Sequence, residues 1–165
     1  MTQSAAQSGA ASAFPSIGRW TVTALPAAWV YVAGFGIKQM TAMQGQIAAS
    51  VGVGHDALEA KDGMAAYLEK QMKLIEGSLK DVKCAGPKPT SFPGAEEAHL
   101  LFVRHTMDGA GDMLHAQTYV RAGVWVGIVT LTTLESQLSV VRTDYDAFVR
   151  GLRIGPELPG AVAGG

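Results

Sequence analysis

The sequence predicts an α+β fold in which an antiparallel sheet of about six strands is flanked by two main helices. Several short runs are rich in valine, isoleucine, threonine and aromatic residues, which favour strands. Two longer segments carry apolar residues at every third or fourth position, which is the spacing of an amphipathic helix. The last three strand candidates are joined by turns of a few residues, and such turns connect antiparallel neighbours only. Together these observations predict an α+β layout with an antiparallel sheet.

Length and composition favour one globular domain. The chain has 165 residues, of which 48% are hydrophobic and 16% are charged. We expect a single domain at 14–154, between flexible small-residue tails at 1–13 and 155–165. The net charge of −1 gives no general attraction to nucleic acid. The lone cysteine, Cys84, excludes an internal disulfide and is typical of a reducing compartment.

The first 37 residues carry no pattern typical of export or membrane insertion. The N-terminal 16 residues show neither the basic nor the apolar region of a signal peptide. The apolar stretch at 20–37 is interrupted by Pro26 and two glycines, so two short strands are favoured over a membrane span. We therefore expect a cytoplasmic protein that is not an integral membrane protein.

Strands and one helix are predicted in the first half. The strand candidates are Trp20–Leu25, a run within Trp29–Met40 that is broken at Gly34 and Gly36, and Ile47–Val53. Residues 54–63 are predicted to be a connection. A helix then runs from Gly63 to about Lys80, with Asp62 as its N-terminal cap. Its apolar face consists of Met64, Leu68, Met72, Ile75 and Leu79.

The second half begins with a loop at 84–94, where three prolines interrupt regular structure. Three strands follow, at His99–Met107, Met113–Arg121 and Val124–Thr133. A capping box of Thr132 and Glu135 predicts the start of the last helix, and Gly155-Pro156 ends it. The apolar stripe of that helix is Leu138, Val141, Tyr145, Phe148 and Leu152. We expect Phe148 to pack against Trp125.

Symmetric turns place His105 opposite His115, and His115 opposite Thr130. One sheet face is then almost purely apolar and is expected to receive both helices. Its residues are Leu100, Phe102, Leu114, Ala116, Val120, Trp125, Val129 and Leu131.

The opposite face, called face B, mixes apolar and polar side chains. Its residues are His99, Leu101, Val103, His105, Met107, Met113, His115, Gln117, Tyr119, Arg121, Val124, Val126 and Ile128. Exposed apolar patches of this kind mark interaction surfaces. We expect a partner to contact Leu101, Val103, Gln117, Tyr119, Val124, Val126 and Ile128. The alternative is that the N-terminal strands or a loop of the same chain cover this face.

Catalytic and metal-binding patterns are weak. The sequence contains no G-x-S-x-G, H-E-x-x-H or phosphate-binding glycine loop. His105 and His115 are weak candidates for a metal site, because no third ligand of the Asp, Glu or Cys type is predicted on face B. Structural hydrogen bonds are the favoured interpretation of these histidines. We expect no enzyme activity and no cofactor.

The order of these elements resembles a known family. The segment "DGMAAYLEKQMKLIEG", the proline-containing loop and the three strands with the last helix resemble the DcrB-like family, whose fold is shared with PsbP. The early "LPAAW", Leu25 to Trp29, is similar to an element of that family. The resemblance covers about residues 19–154.

The family includes the Eag chaperones of type VI secretion. The resemblance implies a cytoplasmic chaperone or adaptor, commonly a homodimer, that clasps the N-terminal hydrophobic helices of an effector protein. Such a helix suits a largely apolar sheet face. The rival interpretation is a small-ligand or metal-binding module that uses the same face or the two histidines.

Overall fold

The computed structural model describes residues 17–32, 36–39, 49–109 and 111–157, with the backbone alone at 36–39. Two helices and nine strands occupy these ranges. The strands are β1 (Trp20–Val22), β2 (Trp29–Val32), β3 (Gly36–Gln39), β4 (Ala49–Ala57), β5 (Lys83–Thr90), β6 (Glu97–Met107), β7 (Gly111–Ala122), β8 (Trp125–Leu134) and β9 (Leu152–Ile154). The helices are α1 (Met64–Ser78) and α2 (Leu138–Gly151), and a 3-10 turn at Glu135–Gln137 precedes α2.

Seven strands form the main sheet in the order β2-β3-β4-β8-β7-β6-β5, and β1 pairs with β9 in a separate two-stranded sheet. Every pairing is antiparallel. The predicted α+β class with an antiparallel sheet and two main helices is therefore confirmed. The main sheet has one strand more than expected.

The two helices cover opposite faces of the sheet. The face opposite to face B, called face A, carries α2 and the β1–β9 pair in one buried cluster. That cluster contains Trp20, Val22, Trp29, Ala49, Val51, Phe92, Ala98, Ala116, Val120, Val129, Leu131, Val141, Tyr145, Phe148 and Leu152. Helix α1 lies on face B instead. The expectation that face A receives both helices is wrong, because an apolar stripe shows that a helix is buried but not which sheet face buries it.

The strand register differs from the predicted one by two residues. Val103 and Thr132 are the neighbours of His115 across the ladder, and His105 lies opposite Met113. Side chains alternate with a period of two, so a shift of two leaves every residue on its predicted face. The division of β6, β7 and β8 into two faces therefore holds.

A strand replaces much of the predicted loop at 84–94. β5 is the last strand of the main sheet, and its register with β6 shifts between Ala85 and Lys88. Proline lacks a backbone N–H, which a strand at a sheet edge can tolerate because that side has no ladder to complete. Pro87 and Pro89 thus remain compatible with β5.

Neither of the two predicted N-terminal helix caps forms. Gly63 precedes α1 and makes no side-chain capping bond, while Asp62 accepts a 2.6 Å hydrogen bond from Lys70. β8 continues through Thr132 to Leu134, so the capping box does not form. Glu135 pairs with Arg104 at 3.0 Å instead.

The aromatic contacts on face A also differ from the expectation. Phe148 stacks on Trp29, with ring centroids 6.4 Å apart and planes 8° apart. Trp125 meets Trp20 edge to face at 5.4 Å. Both predicted residues join the face A cluster, but each has a partner from the N-terminal strands, whose position the sequence did not reveal.

The ends of the predicted domain fall partly outside the described residues. The predicted tail at 1–13 lies outside them, as do residues 158–165. Gly155 is held by two hydrogen bonds with Arg19, at 2.7 and 3.0 Å. Gly155, the first residue of the predicted C-terminal tail, is therefore bonded to the folded domain.

Candidate functional site

Helix α1 covers the apolar part of face B. Its own buried residues are Met64, Tyr67 and Leu68. Beneath them lie the most apolar residues of the face, which are Leu101, Val103, Tyr119 and Val126, all at most 2% exposed. A helix of the same chain therefore excludes solvent from this part of face B.

This arrangement corrects the expected partner surface. Leu101, Val103, Tyr119 and Val126 were expected to contact a partner, but they belong to the core under α1. The alternative expectation, that the N-terminal strands or a loop cover face B, is also corrected, because helix α1 covers these residues. A hydrophobic client cannot reach these four side chains while α1 stays in place.

The other three predicted contact residues, Gln117, Ile128 and Val124, are not fully buried. Gln117 and Ile128 are half-buried on face B, and Ile128 packs against the cluster under α1. Val124 is 61% exposed, but it lies in the turn before β8 and not on the sheet. Its carbonyl accepts a 2.7 Å hydrogen bond from the Leu58 amide.

A second part of face B, next to α1, is covered by neither of the two described helices. We call it the open floor, and it consists of Ser50, Gly52, Gly54, Gln117, Thr130 and Thr132, which are all half-buried. The register places Gly52 opposite Thr130, and Thr130 opposite Gln117. A Cβ added to Gly52 or Gly54 would meet no heavy atom within 4 Å. The most apolar residues of face B are thus covered by α1, while Gly52 and Gly54 have free space on this face.

Exposed apolar side chains border the open floor on two sides. Val30 on β2 is 56% exposed, and its register with β3 and β4 places it on the same face as Ser50. Leu74 on α1 is 63% exposed. It is seven residues from Tyr67 and therefore shares its side of the helix, the side on which Tyr67 reaches Asp56 of β4. We call the part of face B that lies between α1 and β2, with the open floor at its base, the groove.

Two polar side chains of the open floor, Gln117 and Thr132, have hydrogen-bond partners within the chain. The Tyr119 hydroxyl donates to Gln117 Oε1 at 2.6 Å, and burial raises the pKa of Tyr119 to about 12. His115 Nδ1 and Thr132 Oγ1 are hydrogen-bonded at 2.9 Å. A partner that covers Gln117 Oε1 or Thr132 Oγ1 therefore leaves neither atom without a hydrogen bond.

The two candidate histidines come together at one end of the open floor. Their Nε2 atoms are 2.8 Å apart, although His105 and His115 are diagonal neighbours and not the directly opposed pair of the predicted register. Burial, followed by the nearby His105, holds the pKa of His115 below its ordinary value. His99 is separate and contacts Glu97 at 2.7 Å.

Other reactive groups give little support for catalysis. Burial, with a smaller effect of Glu76, raises the pKa of the Cys84 thiol, so at neutral pH it is protonated and a weak nucleophile. Within the described ranges, no cluster of three His, Cys, Asp or Glu side chains forms. The interactions that these residues of face B make are hydrogen bonds and apolar contacts.

The sequence did not predict the two glycines of the open floor as part of a site. The predicted third strand, Ile47–Val53, contained Gly52 and ended before Gly54, whereas both glycines lie inside β4. Their spacing of two was the available signal, since it places both on one face of a strand. Glycine inside a strand often marks a close approach by a ligand or another backbone.

Three solved structures share this fold. A Pseudomonas aeruginosa protein of unknown function, PA94, described as a putative regulator, matches with a TM-score of 0.60 and 21% identity, over 84% of this chain and 99% of that one. LpqN of Mycobacterium tuberculosis, described as involved in cell envelope biogenesis, matches with a TM-score of 0.58 and 15% identity, over 83% of each chain. Cyanobacterial PsbP from Synechocystis sp. PCC 6803 matches with a TM-score of 0.53 and 12% identity, over 83% of this chain and 87% of that one.

Sequence comparisons add no family. No protein-family model and no curated protein matches the chain. In the part of the chain that the structure describes, no helix has the length and apolar character needed to cross a membrane. The structural likeness, at these low identities, establishes that the chain has a PsbP-like α+β fold.

Proposed function

We propose that this protein is a non-catalytic protein-binding module, a cytoplasmic chaperone or adaptor that shields a hydrophobic N-terminal helix of a type VI secretion effector. The resemblance to the DcrB-like family and its Eag members supports this role. The observation that carries the proposal is the open floor. Its two glycines leave free space on face B, between exposed apolar side chains of α1 and β2.

The dimensions of the groove suit a helix. Neighbouring strands lie about 4.8 Å apart, so β2 is roughly 10 Å from β4. Helices pack at interaxial distances of about 8–10 Å, and small residues allow the closest approach. A client helix laid over Gly52 and Gly54 would therefore contact Leu74 on one side and Val30 on the other.

Two polar residues of the open floor are compatible with an apolar client. Burial of an unpaired polar group would cost roughly 1–3 kcal/mol. Gln117 and Thr132 have hydrogen-bond partners within the chain, and they keep these bonds when a client covers them. These two residues therefore do not require a polar group from the client.

A homodimer through the β2 edge forms part of the proposal. Among the described strands, β2 and β5 end the main sheet. β5 carries Pro87 and Pro89, which discourage edge pairing, whereas β2 reads Trp-Val-Tyr-Val and has no such protection. Two copies paired along β2 would join their open floors. Analytical ultracentrifugation should show a dimer that Val32→Lys converts to a monomer, while a monomeric wild type would contradict this part.

Peptide binding tests the main proposal. The probe is a fluorescent helix of about 20 leucine and alanine residues flanked by lysines, long enough to mimic a membrane segment. The double variant with Gly52→Val and Gly54→Val fills the open floor with residues that favour strands. We expect it to bind the probe at least about tenfold more weakly, which is about 1.4 kcal/mol, and to melt no lower than wild type.

A matched control distinguishes binding in the groove from non-specific hydrophobic binding elsewhere on the surface. Val140 on α2 is 56% exposed, like Val30, but lies on the helix that covers face A. Val30→Asp should weaken probe binding, and Val140→Asp should leave it unchanged. Equal effects of the two substitutions, or full binding by the glycine double variant, would contradict the proposed groove.

A further inference from the structure

The rings of His105 and His115 lie end to end. Their planes differ by 5°, and their centroids are 5.0 Å apart. The two Nε2 atoms are separated by only 2.8 Å, which is possible only if each Nε2 points directly at the other ring. Face-to-face stacking would not bring these two atoms together at that centroid distance. The two nitrogen lone pairs therefore lie nearly on one line.

From this geometry we propose that His105 and His115 form a binding site for a soft monovalent cation, Cu(I), with the thioether of Met113 as a third ligand. This inference is independent of the proposed protein-binding role. Two opposed imidazole nitrogens are the donor arrangement for a cation held between them. In the metal-free chain a single proton occupies that position, in an Nε2–H···Nε2 hydrogen bond.

The surroundings favour a soft cation over a hard one. Met113 lies directly opposite His105 in the ladder and is only 9% exposed, and Met107 follows two residues along the same face of β6. Thioether and imidazole ligands suit Cu(I), whereas Ca²⁺ and Mg²⁺ require oxygen ligands. Structural Zn²⁺ takes four ligands from Cys, His or carboxylate, and within the described ranges no cluster of even three such groups forms.

Thr132 would act as the outer partner that orients one ligand. Its Oγ1 holds His115 Nδ1 at 2.9 Å, which leaves Nε2 directed at the cation position. A metal lies about 2 Å from each imidazole nitrogen, so the two Nε2 atoms must separate by roughly 1 Å. Both side chains are only half-buried, which gives them room for this adjustment.

Titration of the intact protein with Cu(I), under reducing conditions and against a chromophoric chelator, tests the site. We expect one equivalent to bind to wild type and to be lost in His105→Ala and in His115→Ala. Thr132→Val should weaken binding about tenfold or more, as outer partners of metal ligands do. Met113→Leu should also weaken it. His99→Ala is the matched control, because His99 shares face B but contacts Glu97, and it should bind like wild type.

A measurement on wild type alone covers the case in which a variant fails to fold. In NMR spectra, Cu(I) should shift the ring protons of His105 and His115 and the Met113 methyl group, and it should leave His99 unshifted. No binding at micromolar Cu(I), stoichiometric binding that survives His115→Ala, or shifts that include His99 equally would each overturn the proposal.

Discussion

The ring of Tyr67 on α1 meets the ring of Tyr119 on β7 at a centroid distance of 6.1 Å, with the planes inclined by 72°. The hydroxyl of Tyr67 also donates a 3.0 Å hydrogen bond to Asp56 on β4. Burial, together with Asp56, raises the pKa of Tyr67, so it stays a neutral donor. One side chain thus attaches α1 to two strands of face B.

Two substitutions at Tyr67 should separate the ring contact from the hydrogen bond. Tyr67→Phe removes only the hydroxyl and should lower the free energy of unfolding by about 1 kcal/mol. Tyr67→Ala removes the buried ring as well and should cost roughly 3–5 kcal/mol. Urea denaturation measures both values. Equal costs for the two variants would show that the ring is not packed against face B.

Val126 and Val124 test whether face B is core. Val126 is fully buried under α1, and Val124 is 61% exposed in the preceding turn. Val126→Asp would bury a carboxylate without a partner, so it should unfold the chain or sharply lower its melting temperature. Val124→Asp should change the melting temperature little. A stable Val126→Asp variant would mean that α1 does not seal this face in solution.

Gly54 and Gly127 should respond in opposite ways to alanine. The Cβ position at Gly54 is open, so Gly54→Ala should raise the free energy of unfolding by roughly 0.4–1 kcal/mol, through lower entropy of the unfolded chain. A Cβ at Gly127 would overlap the rings of Trp20 and Trp125. Gly127→Ala should therefore destabilise by about 1–3 kcal/mol. Thermal melts that rank the two variants in the reverse order would contradict the described packing.

Stability should fall in mild acid because of His115. Its folded-state pKa is below the ordinary value of 6.5, first because the ring is buried and then because of His105. Below pH 6.5 the unfolded chain therefore binds more protons at this position than the folded chain does. The contribution is complete above 6.5 and is lost as the pH falls toward the folded-state pKa.

Denaturation at about pH 7.5 and about pH 5.5 measures this loss. His115→Gln removes the titrating ring and should flatten the pH dependence over that interval. His99→Gln serves as the control and should retain it. A wild-type chain that is more stable at the lower pH would contradict the sign.

Much of the fold was predictable because alternation and helical spacing are local signals. The faces of β6, β7 and β8 were predicted correctly even though the register was shifted by two, since parity alone decides the face. The stripe on α2 was also informative, and Val141, Tyr145 and Phe148 are buried as expected. These features depend only on residues close together in the chain.

The position of α1 was not predictable in the same way. Its stripe from Met64 to Leu79 shows that one side is buried, but either face of a sheet would accept it. The connections at both ends of α1 decide the face, and their path depends on tertiary structure. Because α1 covers Leu101 and Val126, the predicted partner surface was placed on residues that belong to the core.

The candidate site was hidden for a related reason. The predicted third strand ended at Val53, so Gly54 was placed in a connection, whereas β4 runs through both Gly52 and Gly54. Val30 and Leu74 are ordinary apolar residues in the sequence, and they become neighbours of the open floor only in the folded chain. The contact between His105 and His115 was anticipated, but its end-to-end geometry required the structure.

Site-specific photo-crosslinking in cells that make the protein natively tests the central claim most directly. A photoreactive residue placed at Leu74 or at Val30 should form adducts with an apolar segment of about 20 residues from a secreted protein, identified by mass spectrometry. The same residue at Val140 should form no such adduct. Adducts of equal yield at Val140, or adducts at Leu74 and Val30 that map only to polar segments, would contradict the assignment of the open floor as the binding site for a hydrophobic helix.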